Sequence, residues 1–141
     1  MKRSVRWPRR WCLAPALAGM VLAGCGGRDP DLQPAVPASG TVTYKAKPVS
    51  KGAVHFQPEK GHPASGIIDE GRFTLTTYDP NDGAVAGKHK VGVEVTREVP
   101  TKGGDTTVKY LIPEKYARPD ESGIEVEIPP GGNTDIQIGI K

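Results

Sequence analysis

The chain has 141 residues, 25% of them charged, and a formal charge of +3. That charge is uneven: Met1–Gly24 holds five of the 19 basic residues and none of the 16 acidic ones, so the rest of the chain carries −2. A net-negative body lacks the basic footprint that nucleic-acid binding requires, and no nucleic-acid partner is expected.

Lys2, Arg3, Arg6, Arg9 and Arg10 form a basic start, followed by the short apolar run from Cys12 to Ala23. The run is shorter than the about 20 apolar residues a membrane span needs. A basic start, a short apolar middle and small exit residues describe a secretory signal peptide over residues 1–24. Leu22-Ala23-Gly24-Cys25 resembles the lipobox of bacterial lipoproteins at all four positions. The resemblance implies cleavage before Cys25, a diacylglycerol on its thiol, and acylation of the new N-terminus. The other reading is an ordinary signal peptide with a chance cysteine. Arg9-Arg10 loosely resembles a twin-arginine export signal, but its flanks are incomplete and a general secretory n-region reads the same way. Each buried CH₂ contributes about 0.8 kcal/mol, so several acyl chains hold a protein firmly where one does so marginally. The expected location is therefore the cell envelope, with Cys25 joined to a membrane and the domain facing the periplasm or exterior.

Trp7, Trp11 and Cys12 all lie in the leader, so Cys25 is the one cysteine beyond it, and no disulfide or thiolate cluster can be assembled. Residues 26–38, GGRDPDLQPAVPA, hold Pro30, Pro34 and Pro37 and few large apolar side chains. They read as a flexible linker after the lipidated cysteine, giving a segment 25–38 and a domain over 39–141.

From Ser39 the pattern has period two. Val42 and Tyr44, then Val54 and Phe56, then Ile68 mark the first inward positions. Asp69-Glu70-Gly71 is a turn in which Gly71 can take positive φ. Phe73 and Leu75 lie on the return strand, and YDPNDG is a further turn. Val91, Val93 and Val95 share a face, as do Ile124, Val126 and Ile128, and then Ile136 and Ile138, with Ile140 near the end. PPGGN between the last two strands reads as a hairpin loop. Seven short strands with turn signals throughout predict an all-β, seven-stranded antiparallel sandwich. The segment 97–119 is long for a structureless connection. Its polar first part, 97–107, reads as a mobile loop. Val108 to Ile112 reads as a short strand, with Leu111, Ile112 and Tyr116 folding back on the core.

GTVTYKAKPVSKGAVHF, IIDEGRFTLTT and DGAVAGKHKVGVEV, in that order, resemble the carboxypeptidase regulatory-like, or transthyretin-like, domain. The shared features are a Gly-x-Val strand, a gkPv-x-gA-x-V turn and strand, an Asp-x-Gly-x-Phe hairpin and a pGkYkV strand. LIPEKYARPDESGIEVEI further resembles the C-terminal half of small planctomycete-type lipoproteins carrying that domain. The resemblance implies a prealbumin-like or Ig-like sandwich. His89 stands where the family has tyrosine. The fold also hosts a hydroxyisourate hydrolase ending in Tyr-Arg-Gly-Ser; this chain ends Gly-Ile-Lys, so that activity does not carry over.

No catalytic residue, metal ligand or cofactor is assigned. His55 reads as solvent-facing, His62 as a loop residue and His89 as inward-pointing, and no motif spacing joins them. Asp79 to Gly83, DPNDG, misses the calcium-loop spacing, because the twelfth position is Lys90. Asp69 and Glu70 are adjacent on a turn without an acid partner. Tyr78, Tyr110 and Tyr116 are the aromatics outside the core pattern. Tyr78 and Tyr116 are the possible ligand-binding residues, as sugar-stacking rings. The expected function is a non-enzymatic structural or protein-interaction module of the cell envelope, and the alternative is a glycan-binding lipoprotein. An envelope protein or a glycan would be the partner.

Overall fold

The computed structural model describes residues 32–141, so the leader, Cys25 and the first part of the linker lie outside the described residues. The strands are β1 (Ala35–Val36), β2 (Ala38–Tyr44), β3 (Lys47–Pro48), β4 (Lys51–Pro58), β5 (Ala64–Asp69), β6 (Arg72–Thr74), β7 (Ala84–Val85), β8 (Gly87–Glu94), β9 (Thr96–Pro100), β10 (Thr106–Tyr110), β11 (Ile124–Ile128) and β12 (Asn133–Ile140). One four-residue helix, α1 (Pro119–Ser122), follows a 3₁₀ turn over Glu114–Ala117.

The seven expected strands are the seven strands of one sheet path, β11-β8-β4-β5-β6-β2-β12, with β3 paired to β2. Residues from both halves of that path share a single core, so the sheet folds over itself as an all-β sandwich. Val42, Ile136 and Ile138 from β2 and β12 join Val54, Phe56, Val91 and Val93 from β4 and β8 in it. The Phe56 and Phe73 rings lie 5.9 Å apart within this layer. The inward set follows the alternation of the sequence, with Tyr44, Ile124 and Val126 only partly buried. Burying a Val, Leu, Ile or Phe side chain contributes about 1.5–3 kcal/mol, which makes a one-residue slip of any central strand prohibitive.

Three features depart from the sequence pattern. First, β12 does not form a hairpin with β11. It crosses to the opposite edge and pairs with β2, the one parallel pair in an otherwise antiparallel sheet. PPGGN therefore carries a crossover: Gly132 donates to the Pro129 carbonyl at 2.9 Å, and Asn133 to the Pro37 carbonyl at 2.9 Å. Second, the linker's last residues belong to the fold. β1 pairs with β7, and Ala38 is buried. Third, residues 96–110 form a β-ribbon: β9 and β10 pair in register from Thr96↔Tyr110 to Pro100↔Thr106. The expected mobile loop, 97–107, is instead most of the ribbon's first strand, its tip and the start of its second strand.

The close approach of β2 and β12 depends on Gly40. A Cβ there would collide with the Ile136 backbone. Just before Ile136 the β12 register slips by one residue, a bulge whose Asp135 amide donates to Asn133 Oδ1 at 3.0 Å.

Val93→Asp buries an unpaired carboxylate in the centre of the core and is expected to cost about 3 kcal/mol or more. Glu94→Lys, one residue away on the outward face, should stay within about 0.5 kcal/mol of wild type. Urea denaturation midpoints check both, and equal midpoints would reject the strand parity. Gly40→Val should be as damaging as Val93→Asp because β12 would be pushed off β2.

Candidate functional site

The strand directions define two ends. β2 and β12 both run from the end holding β1 to the opposite end, where β4 begins and β8 finishes. The described N-terminus, β1 and β7 are at the first end. The β2–β3 turn, the β5–β6 turn and the β9–β10 ribbon are at the second.

At the first end Tyr78 is 38% exposed, and its hydroxyl donates to the Gln33 carbonyl at 3.0 Å. His62 meets the ring edge-on at 5.4 Å. Tyr78 therefore ties the entering chain to the body. The neighbouring DPNDG turn closes on itself. Asp82 accepts the amide N–H groups of Thr77, Tyr78 and Asp79 at 2.7, 3.0 and 3.0 Å. Burial works to raise the Asp82 pKa, but these backbone donors together hold it below the usual carboxylate value. Both Asp82 oxygens are thus engaged by backbone amides, which is turn chemistry.

Tyr116 sits elsewhere, half-buried against the core, with Lys115 Nζ 5.0 Å from its ring centroid. Its segment, 113–122, lies over Gly92 of β8, where a Cβ would meet the Ala117 carbonyl at 2.7 Å. Ser122 locks the segment down: its buried hydroxyl donates to the Val91 carbonyl and accepts the Ile124 amide at 3.1 Å. Lys90 adds a surface ion pair to Asp120 at 2.9 Å. Ile112 folds into the core as expected, whereas Leu111 does not and remains 45% exposed. The chain bends at these two residues, with the Leu111 amide donating to the Val95 carbonyl at 2.8 Å, and Ile112 turns inward while Leu111 stays outside.

Two concave surfaces stand out. The larger, about 860 Å³, lies over the outward faces of β4, β5 and β6 and is polar, with His55, Ser65, Asp69, Arg72, Thr74 and Asn81 on its walls. Glu94 stands 3.8 Å from His55, and both are solvated. The second, about 580 Å³, lies at the far end between the β2–β3 turn and the root of the ribbon. Its floor is apolar, made by Val49, Val95 and Ile112. Lys45, Lys47, Lys51 and Arg97 surround it. Tyr78 and Tyr116 line neither surface. Among the described residues, no group of three or more His, Cys, Asp or Glu is placed to hold a metal ion.

Sequence reasoning missed both the ribbon and the basic groove. The ribbon had a signal: TREVP and TTVKY flank a Gly-Gly loop, the pattern of a hairpin. The lysines of KAKPVSK were visible but read only as turn residues. Comparison with protein-family models, curated proteins and solved structures finds no match to this chain.

His89 is 1% exposed and packs edge-on against Phe56 at 5.8 Å. Its Nε2 lies 2.7 Å from the Val85 carbonyl, so that nitrogen carries the proton, and Nδ1 is buried without a hydrogen-bond partner. Burial depresses its pKa below the ordinary 6.5, against the opposing pull of the Val85 carbonyl. The unfolded chain therefore binds the proton before the folded one. Stability is full above about pH 6.5 and falls as the pH drops toward the depressed folded value. His89→Gln keeps an N–H donor but cannot titrate. Urea midpoints at pH 7.5 and pH 5 should fall more for wild type than for His89→Gln, and equal slopes would exclude His89 as the cause.

Proposed function

We propose that this chain is a non-enzymatic interaction module of the bacterial cell envelope, tethered to a membrane through lipid on Cys25 and engaging a protein partner through the β9–β10 ribbon. The reading keeps the carboxypeptidase regulatory-like resemblance as its family proposal. The observation that carries it is the ribbon itself. Every β10 residue is exposed, Val108 by 57% and Tyr110 by 39%, and each strand of the ribbon has one edge unpaired among the described residues. Free strand edges are templates for strand addition, and two-stranded ribbons are marginal alone in water. A partner strand would satisfy the open donors and acceptors while covering Val108 and Tyr110. The ribbon lies at the end opposite the tether, which suits contact with something away from the anchoring membrane.

The ribbon makes a direct test. Replacing residues 98–108 by Asn-Gly should leave the domain's melting temperature within a few degrees, because the removed residues contribute nothing to the core. Tagged wild type should recover a partner from solubilised envelope that the shortened chain does not. Recovery by both would move the interaction elsewhere. The anchor has its own test: Cys25→Ser should shift the protein out of the membrane fraction and block lipoprotein processing, and unchanged fractionation would reject the lipid.

The polar surface over β4–β6 favours a second reading, glycan binding, because its hydroxyl, carboxylate and guanidinium groups are suited to sugar hydroxyls. Arg72→Ala, at an exposed position on that surface, separates the two. Under the first reading it leaves partner recovery and polysaccharide retention as in wild type. Under the second it abolishes retention on a polysaccharide column, with the melting temperature unchanged.

A further inference from the structure

The groove at the far end has a composition unlike the rest of the body. Its floor of Val49, Val95 and Ile112 is apolar, and Leu111 and Tyr44 extend that surface toward solvent. Around it stand Lys45, Lys47, Lys51 and Arg97, with no carboxylate in the lining, although the chain beyond the leader is net negative. Of the nearby acidic turn residues, Glu70 lies on the other, polar surface, and Asp69 lines that surface while standing opposite Lys51 in the β4–β5 register. None of the four cations forms an ion pair with a carboxylate among the described residues.

Two further observations concentrate on this groove. The turn carrying Lys45 has positive φ at both central residues, 49° at Lys45 and 62° at Ala46, without a glycine or asparagine. Such a turn is ordinarily Asn-Gly, and side chains held there are strained. The strain persists because the Lys45 amide donates to the Ile140 carbonyl at 2.8 Å, pinning the turn to the end of β12. In the ribbon, Arg97 stands directly opposite Lys109. Like charges at opposed positions are destabilising and share one face of the ribbon. An anion among these groups would offset the Arg97–Lys109 repulsion.

We propose that this groove binds a free single-chain amphiphile with an anionic head, a carboxylate or phosphate, its alkyl chain lying on Val49, Val95 and Ile112 and its head held by Lys47, Lys51 and Arg97. The volume of about 580 Å³ falls in the range of small-ligand sites, which span about 300–1,000 Å³. The apolar floor explains why a bare anion is not enough, and the cationic surround explains why a neutral chain is not. This inference is independent of the ribbon's protein partner and of the anchor.

The test uses the full chain with Cys25→Ser, so that no covalent lipid competes. Decanoate, dodecanoate and decyl phosphate are titrated below their micelle concentrations, beside decyl maltoside and decyltrimethylammonium. The anionic probes should saturate, with dodecanoate tighter than decanoate by about fourfold per methylene. The neutral and cationic probes should bind at least tenfold more weakly. NMR shift changes should centre on Val49, Val95 and Leu111. Leu111→Ser should weaken binding and flatten the chain-length dependence, and Lys47→Glu with Lys51→Glu should weaken anionic probes at least tenfold. All three positions are exposed, so the variants should keep the wild-type melting temperature. Equal affinity for all head groups, shifts on the β4–β6 surface instead, or binding that survives both variants would overturn the proposal. Self-association abolished by Leu111→Ser would overturn it in favour of a second copy as the occupant. Adsorption to anionic vesicles that survives Leu111→Ser, with no saturable binding of the free probes, would replace it with nonspecific surface attraction.

Discussion

The parallel contact between β2 and β12 is the constraint on which the rest of the molecule depends. Without β12, β2 would be an exposed edge and Ile136, Ile138 and Ile140 would be lost from the core. Parallel pairing requires β12 to start at the same end as β2. The chain leaving β11 therefore crosses that end before entering the sheet, and Gly132, at φ 87°, makes the corner against Pro37. The crossover thereby fixes the chain just before β2. With Tyr78 holding Gln33 and β1 holding β7, the entering segment is attached at three places along five residues. A pull on the entering chain would be met by this cluster at the sheet's end rather than by the core strands.

The same geometry gives the two ends different chemistry. At the entry end, polar groups are consumed internally: Asp82 by three amides, the Tyr78 hydroxyl by a carbonyl, and His89 Nε2 by Val85. At the far end β2 and β12 finish together, and the Ile140 carbonyl is satisfied by the Lys45 amide. The turn that supplies this amide must then carry its lysine side chains outward, beside the apolar residues where β8 gives way to the ribbon. Lys45, Lys47, Lys51 and Arg97 gather there around an apolar floor with no carboxylate in the lining among the described residues. The asymmetry is a consequence of strand direction, and it puts the unspent interaction capacity at the end opposite the entering chain.

Legibility in the sequence followed how local each determinant was. Strand parity was readable because adjacent residues alone decide it: Val91-Gly92-Val93-Glu94-Val95 alternates whatever its partners are. Gly71 was readable for the same reason, since a two-residue loop between Asp69 and Arg72 demands its positive φ of 80°. The destination of β12 was not, because PPGG suits a hairpin and a crossover equally, and the deciding fact is that β8, not β12, covers the inner edge of β11. Ala38, Val49, Ala64 and Ala84 are buried through distant contacts that small side chains do not advertise. The ribbon was obscured by composition: Arg97, Glu98, Lys102 and Asp105 look like a solvated loop, and they are solvated, but as a two-stranded arm. The basic groove needed three separate segments to be brought together, and no single stretch carries it.

These features bear on why the chain tolerates local costs. A Lys-Ala turn at positive φ and an Arg97–Lys109 opposition each work against folding, as does an imidazole nitrogen buried without a partner. The first two lie on the groove and ribbon, outside the core, where a strained turn costs stability without disturbing packing. The third lies inside, beside Phe56, where a tyrosine or phenylalanine would fill the same space with less polar burial. His89 does one thing those residues do not: it donates to the Val85 carbonyl at the end of β7, the strand that holds β1. The imidazole thus couples the core to the pairing that secures the entering chain. Protonating it charges a buried nitrogen that has no hydrogen-bond partner among the described residues. The Nε2–H still donates to Val85 after protonation, so the acid penalty falls on the buried Nδ1 in the core rather than on the β7 contact.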